Sequence, residues 1–329
     1  MQPLFHHGGR LDDAARAFPQ APRPWLDLST GINPFAWDGP APAVDQRALP
    51  AATALAALET AAAAAFGLAA GGIAALPGSE IALRLLACIG LPAPFHVVAP
   101  GYRTHAAALP GARAVSADAL EAAAEGGGTL LIANPNNPDG RLIPPDRLLA
   151  LAARLAAQGG LLVVDEAFAD ATPGASLLPW LAGGEAVVVL RSFGKFYGLA
   201  GVRLGFACGA AGPVARLADL AGSWPVSACA LAIGTAAYAD AAWADAMRHR
   251  LVRAAAALDD LLRAHGLSPT GASPLFRLVE TPEAGALFAR LAAAGILARP
   301  FDYAPRWLRL GLPDGPAALD RLDRALGHR

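Results

Sequence analysis

The 329-residue sequence predicts an α/β protein, with a mostly parallel sheet sandwiched by helices and then a smaller α+β domain. Two observations carry this. Apolar runs at residues 95–99, 130–133, 161–164, 187–190 and 204–207 alternate with helical stretches near 81–89, 144–157 and 214–220. The runs are continuously apolar, as in strands buried on both faces and joined by helical crossovers. Ligands gather at the carboxyl ends of strands in such sheets. The polar signals of this chain fall just after those runs.

Residues 1–40 read as an N-terminal arm with a short amphipathic helix over 11–18 and several prolines. Gly8, Gly9 and Gly31 allow close backbone approach to a ligand, and His7 and Asn33 offer polar contacts. A proline-rich lead-in that packs on the core accounts for these residues equally well. Residues 41–225 form the large domain and residues 226–329 the small one. In the latter, one or two alanine-rich helices over 228–265 precede strands at 275–279, 296–298 and 307–310. Helices near 282–294 and up to residue 326 complete it.

Four segments after strands carry the polar chemistry. Leu76-Pro77-Gly78-Ser79-Glu80 opens a helix, whose first N–H groups suit a phosphate, although Ser79 and Glu80 also make an ordinary helix start. Pro100-Gly101-Tyr102-Arg103-Thr104-His105 puts an aromatic residue after a strand, with His105 placed where it could face the same site but assigned no role by the residues alone. Asn134-Pro135-Asn136-Asn137-Pro138-Asp139-Gly140 is a polar turn richer than a plain connection needs. Val163-Val164-Asp165-Glu166-Ala167-Phe168 ends a buried strand in an acid, which is costly unless paired.

The remaining segment, Arg191-Ser192-Phe193-Gly194-Lys195-Phe196-Tyr197-Gly198-Leu199-Ala200-Gly201-Val202-Arg203, holds the only lysine among 26 basic side chains. Arginine cannot lose its proton to become a nucleophile, whereas a lysine amine can be tuned to attack a carbonyl. Ser192 and Arg203 can converge on a phosphate beside that amine, since the arginine fork donates two parallel hydrogen bonds.

Together these motifs resemble the type I fold of pyridoxal-phosphate (PLP) enzymes, the aspartate aminotransferase superfamily. The resemblance implies that Lys195 holds the cofactor covalently and that Gly78, Ser79, Glu80, Ser192 and Arg203 surround its phosphate. It implies that Tyr102 stacks on the ring, Asn137 donates to its phenolic oxygen, and Asp165 pairs with its ring nitrogen. Three departures stand out. Gly194 replaces the serine or threonine usual before the lysine, Phe168 replaces a tyrosine of many aminotransferases, and Leu49 stands where relatives lend a tyrosine to the neighbouring subunit. Arg299 and Arg309, set in apolar strands, require anionic partners. By resemblance Arg309 grips the substrate carboxylate and Arg299 makes a second substrate contact; ion pairs within the small domain are the alternative.

The arm narrows the resemblance. His7-Gly8-Gly9, the Leu-Asp-Leu-Ser segment running to Asn33-Pro34, and Asp165-Glu166-Ala167-Phe168 resemble the threonine-phosphate decarboxylases of cobalamin biosynthesis, close to histidinol-phosphate aminotransferases. That implies substrate contacts from His7, Gly8, Gly31, Asn137, Arg299 and Arg309, with Gly31 limited to its backbone where asparagine is common. The implied reaction is decarboxylation of O-phospho-L-threonine to (R)-1-amino-2-propanol phosphate by a homodimer. Transamination of a histidinol-phosphate type of substrate is the second reading, and a non-catalytic relative within a cobalamin-pathway assembly the third.

Composition excludes other classes. A net charge of −1 gives no footprint for nucleic acid or an anionic membrane. The longest uncharged stretch, over 61–81, is alanine and glycine broken by Glu80 and Pro77, and is too poor in large side chains to span a bilayer. The first seven residues lack the charged and apolar regions of a signal peptide. Cys88, Cys208 and Cys229 are odd in number and widely spaced, which suggests buried thiols in a reducing cytoplasm, with neither disulfides nor a metal site.

Overall fold

The structure, a computed structural model, describes residues 7–40 and 43–327. The opening of the expected arm, residues 1–6, therefore lies outside the described residues. Contacts divide the chain into two units. The smaller contains the described residues up to Phe35, Pro138–Gly140 and Ala246–Arg329; the larger contains Ala36–Asn137 and Arg141–Asp245.

The smaller unit begins with helix α1 (Leu11–Ala17) and strand β1 (Leu26–Asp27). The larger unit follows, with α2 (Ala52–Phe66), β2 (Gly72–Leu76), α3 (Ser79–Leu85), β3 (Phe95–Val98), α4 (Arg103–Ala108), β4 (Arg113–Val115) and α5 (Leu120–Glu125). It continues through β5 (Thr129–Ala133), α6 (Pro145–Ala157), β6 (Leu161–Asp165), β7 (Val187–Ser192), α7 (Phe193–Phe196), β8 (Gly205–Gly209), α8 (Ala211–Ala221) and α9 (Ala228–Ala239).

Its seven strands run in the order β2-β8-β7-β6-β5-β3-β4. β8 is antiparallel to both neighbours, and the other pairings are parallel. Every residue of β5, β6, β7 and β8 is buried, which explains their unbroken apolar runs. One face of the sheet presents Leu131, Val163, Val188, Leu190 and Ala207 to Leu83 and Leu86 on one side and Val214 and Leu217 of α8 on the other. Alternate residues such as Leu130, Leu162, Val164 and Val189 are equally buried. α9 belongs to this unit because it packs on α2 through Gly234, where a Cβ would sit 2.8 Å from Leu58 Cδ1.

The division falls within α10 (Ala241–Ala264). The smaller unit then has β9 (Pro269–Thr270), β10 (Phe276–Glu280), α11 (Ala284–Ala293), β11 (Ile296–Leu297), β12 (Arg299–Pro300), β13 (Trp307–Gly311) and α12 (Pro316–Gly327). The strand expected over 296–298 is two: β11 pairs in parallel with β1, while β12 joins an antiparallel sheet ordered β12-β13-β10-β9. No helix among the described residues is long and apolar enough to cross a membrane.

Candidate active site

The topology brings one edge of the larger sheet together. β2, β7, β6, β5 and β3 all run the same way, so their carboxyl ends share that edge. Gly78, Lys195, Asp165, Asn137 and Tyr102 each follow or end one of these strands. Antiparallel β8 begins at the same edge, opposite Ser192, and Arg203 lies two residues before it.

Asp165 closes β6 with its side chain almost fully buried. One carboxylate oxygen faces His105 Nε2 at 2.9 Å, and the other accepts from the Ala167 backbone N–H at 3.1 Å. His105, which the sequence placed beside the site without a role, is itself buried. The usable signal was its spacing of three from Tyr102 at a helix start, which puts both on one side of α4. The two rings meet edge to face, with centroids 5.6 Å apart. Tyr102 directs its hydroxyl away, donating to Glu80 Oε2 at 3.1 Å. Burial pushes the phenol up to about 12. Because the Glu80 side chain is turned to Tyr102 and Thr104, what this residue can offer a phosphate is its main chain.

The asparagine turn is locked by its own side chains. Asn134 donates to the Ile143 and Ala175 carbonyls, both at 3.0 Å, and accepts from Ile143 N–H at 2.8 Å. Asn136 donates to the Pro100 carbonyl at 3.0 Å, tying this turn to the loop before Tyr102. Asn137 sits next in the turn, half-buried.

Ser192 is the buried residue before α7, and Lys195 is half-buried within that single turn. The turn rests on an aromatic stack in which Phe193 lies parallel to Tyr197 at 4.6 Å and Tyr197 to Trp243 at 5.5 Å. Gly194 has a physical cause: a Cβ there would lie 2.5 Å from Ala200 Cα. Arg203 is the only non-glycine described residue with positive φ, at 57°. Its guanidinium donates to the Ala200 carbonyl and covers Gly78, where a Cβ would lie 2.9 Å from Nη2. A left-handed arginine is a strained choice that persists where the surroundings require it. Gly78 (φ 94°) and Gly205, where a Cβ would strike Ser79 N at 2.4 Å, let the backbone at the start of α3 pack against β8 beside Arg203.

Below this edge Arg191 pairs with Glu166 at 2.9 Å and with Asp170, all three buried. Burial raises Glu166, opposed by the adjacent guanidinium, while the two carboxylates hold Arg191 above its ordinary range. This cluster explains Glu166 as structure. Phe168 is buried and brings no hydroxyl. Leu49 is 67% exposed.

In the smaller unit, Arg299 and Arg309 are directly opposed across the β12–β13 ladder, so both project from one face, and both are buried. Arg309 donates to the Ser29 carbonyl at 2.8 Å and lies over Phe276; Arg299 lies near Phe301. Like charges directly opposed on a ladder repel, so compensating partners nearby matter at this pair. In the arm, Gly9 N–H donates to Ser29 Oγ at 2.7 Å, and Gly8 packs so closely that a Cβ would strike the Ser29 carbonyl. Gly31 is buried and His7 is exposed. Among the thiols, Cys208 is buried, Cys229 half-buried and Cys88 exposed, which corrects the expectation of three buried thiols.

The larger unit therefore offers an amine, a buried acid at a strand end, an aromatic ring packed edge to face with a histidine, and a helix start with an arginine over its glycine. That donor set fits a group with an aldehyde, a ring nitrogen and a phosphate. The family model described as aminotransferase class I and II matches residues 111–326. The threonine-phosphate decarboxylase of Pseudomonas aeruginosa is 41% identical over 98% of this chain and 97% of its own length. The Sinorhizobium sp. protein of the same name is 42% identical, with the same coverage. Among solved structures, histidinol-phosphate aminotransferase from Sinorhizobium meliloti in complex with pyridoxal-5′-phosphate aligns with a TM-score of 0.80 at 24% identity, covering 96% of this chain and 92% of that one.

Proposed function

The chain belongs to the aminotransferase class I and II family of enzymes, and from that premise we propose that it decarboxylates O-phospho-L-threonine to (R)-1-amino-2-propanol phosphate. Its cofactor is pyridoxal 5′-phosphate, which when bound supplies a ring that accepts the electron pair left by the departing carboxylate. The observation that carries the substrate reading is the opposed, buried pair Arg299 and Arg309, suited to an amino acid with two anionic groups. The near full-length likeness to threonine-phosphate decarboxylases supports it.

Each residue has a defined task. Lys195 would provide the amine that holds the cofactor aldehyde, and a proton for the substrate α-carbon. Asp165, oriented by His105 and the Ala167 N–H, keeps a proton on the cofactor's ring nitrogen. Tyr102 supports the ring face, and Asn137 donates to the phenolic oxygen. Gly78, Ser79, Ser192 and Arg203 take the phosphate, joined by the Glu80 main chain. Arg309 and Arg299, with the arm residues His7, Gly8 and Gly31, would bind the anionic groups of the substrate.

Phe168, lacking the second donor of many aminotransferases, also favours decarboxylation. The working form is a homodimer, acting in the cytoplasm within cobalamin biosynthesis; size-exclusion chromatography with light scattering tests the assembly. Purified protein incubated with PLP and O-phospho-L-threonine should release carbon dioxide without any oxo-acid, with the amine phosphate identified by mass. Strict dependence on 2-oxoglutarate would select transamination of a histidinol-phosphate type of substrate instead. Failure to develop visible absorbance with PLP would favour a non-catalytic relative.

A further inference from the structure

We propose that Glu80 is a positioning residue for the ring of Tyr102, tethering its hydroxyl end while the ring of His105 packs at right angles to it. One carboxylate does this work for two helices. Its Oε2 accepts from the Tyr102 hydroxyl and its Oε1 from the Thr104 hydroxyl, both at 3.1 Å. Arg84, one turn further along α3, donates to Oε1 at 3.1 Å and holds the carboxylate from behind. Glu80 is therefore fixed on its own helix before it reaches α4.

The bridge supplies a restraint that the sheet does not. The loops bearing Gly78 and Tyr102 follow β2 and β3, and four strands, β8, β7, β6 and β5, separate these two in the sheet. No ladder hydrogen bond sets one loop against the other. The α3–α4 contact does so, and Glu80 is its polar link. Tyrosine at the ring position makes such a link necessary, because a mostly buried hydroxyl needs a partner. With its hydroxyl tethered and the His105 ring packed perpendicular to it (interplanar angle 87°), the ring has little freedom to rock. A stacking surface is useful only while its face stays parallel to its guest.

The inference rests on the reading of Tyr102 as the cofactor's ring support. The test uses the full chain loaded with PLP. Wild type, Glu80→Gln, Glu80→Ala, Tyr102→Phe and the Glu80→Ala/Tyr102→Phe double variant are compared by absorbance titration of PLP and by the circular dichroism induced in its visible band. Glu80→Ala and Tyr102→Phe should each weaken PLP binding roughly 2- to 10-fold, the share expected of an aromatic stack, and each should reduce the induced ellipticity. The double variant should be no worse than the poorer single one, since both changes cut the same tether. Glu80→Gln, which still presents an acceptor, should recover most of the signal. Multiplying effects in the double variant, or unchanged ellipticity in Glu80→Ala, would overturn the proposal. A wild-type protein that gains no visible band would overturn the cofactor reading itself, a separate and distinguishable failure.

Discussion

Replacing Gly194 by serine would restore the hydroxyl that usually precedes the lysine in this superfamily, and a phosphate contact would be the naive gain. The geometry points the other way. A Cβ at this position would meet Ala200 Cα at 2.5 Å, its N at 3.1 Å and its Cβ at 3.2 Å. Carbon contacts relax only near 3.5–4.0 Å, so either the 200–202 turn or the lysine turn must shift by about 1 Å. Overpacking of this kind costs about 1–3 kcal/mol. At a specific unfolding entropy of roughly 2 cal/mol/K per residue, that lowers Tm by about 1.5–4.5 °C in a chain of this length. Arg203 is tied to the same turn through the Ala200 carbonyl, by its Nη1 at 3.2 Å, so PLP should also bind more weakly. Ala200→Gly should rescue little, because it removes only the outer of these contacts and leaves Cα in place. Thermal unfolding of the apoprotein and PLP titration measure both effects. An unchanged Tm together with tighter PLP binding in Gly194→Ser would refute the reasoning.

Three further outcomes follow from the same packing. Arg191→Met would strand Glu166 and Asp170 without their shared cation and should cost about 3–5 kcal/mol in urea denaturation; a loss near zero would contradict the buried triad. Burial raises Tyr102 to about 12 and Tyr238 well above the ordinary phenol value. The unfolded chain should release these protons near pH 10 while the folded chain keeps them. Stability contributed by the two phenols is thus complete below about pH 10 and falls between 10 and 12, a slope that denaturation at several pH values should show and Tyr102→Phe should reduce. Native protein treated with a maleimide should react at exposed Cys88 and not at buried Cys208, whose thiol burial also pushes up; mass mapping decides.

The central strands were legible because β5, β6 and β7 are buried on both faces, so composition alone marks them. β2 and β4 escaped. β2 is an alanine- and glycine-rich edge strand, and Arg113–Val115 has only three residues, two of them exposed. α2 was hidden in an alanine run with little difference between its faces. Lys195, Asp165 and Asn137 stood out because each breaks an apolar or turn pattern in a way that costs energy unless a partner exists. His105 did not, since a lone histidine at a helix start has many ordinary explanations. Only the fold shows its contact, 2.9 Å from Asp165. The reason for Gly194 was likewise invisible, because the obstacle lies six residues ahead in a turn whose path the sequence does not specify.

Borohydride reduction of the PLP-treated protein, followed by peptide mapping, tests the central claim most directly. A single pyridoxyl adduct on the peptide containing Lys195 is the expected result, as this is the only lysine in the chain. Label at the N-terminal amine alone, or none at all, would contradict it.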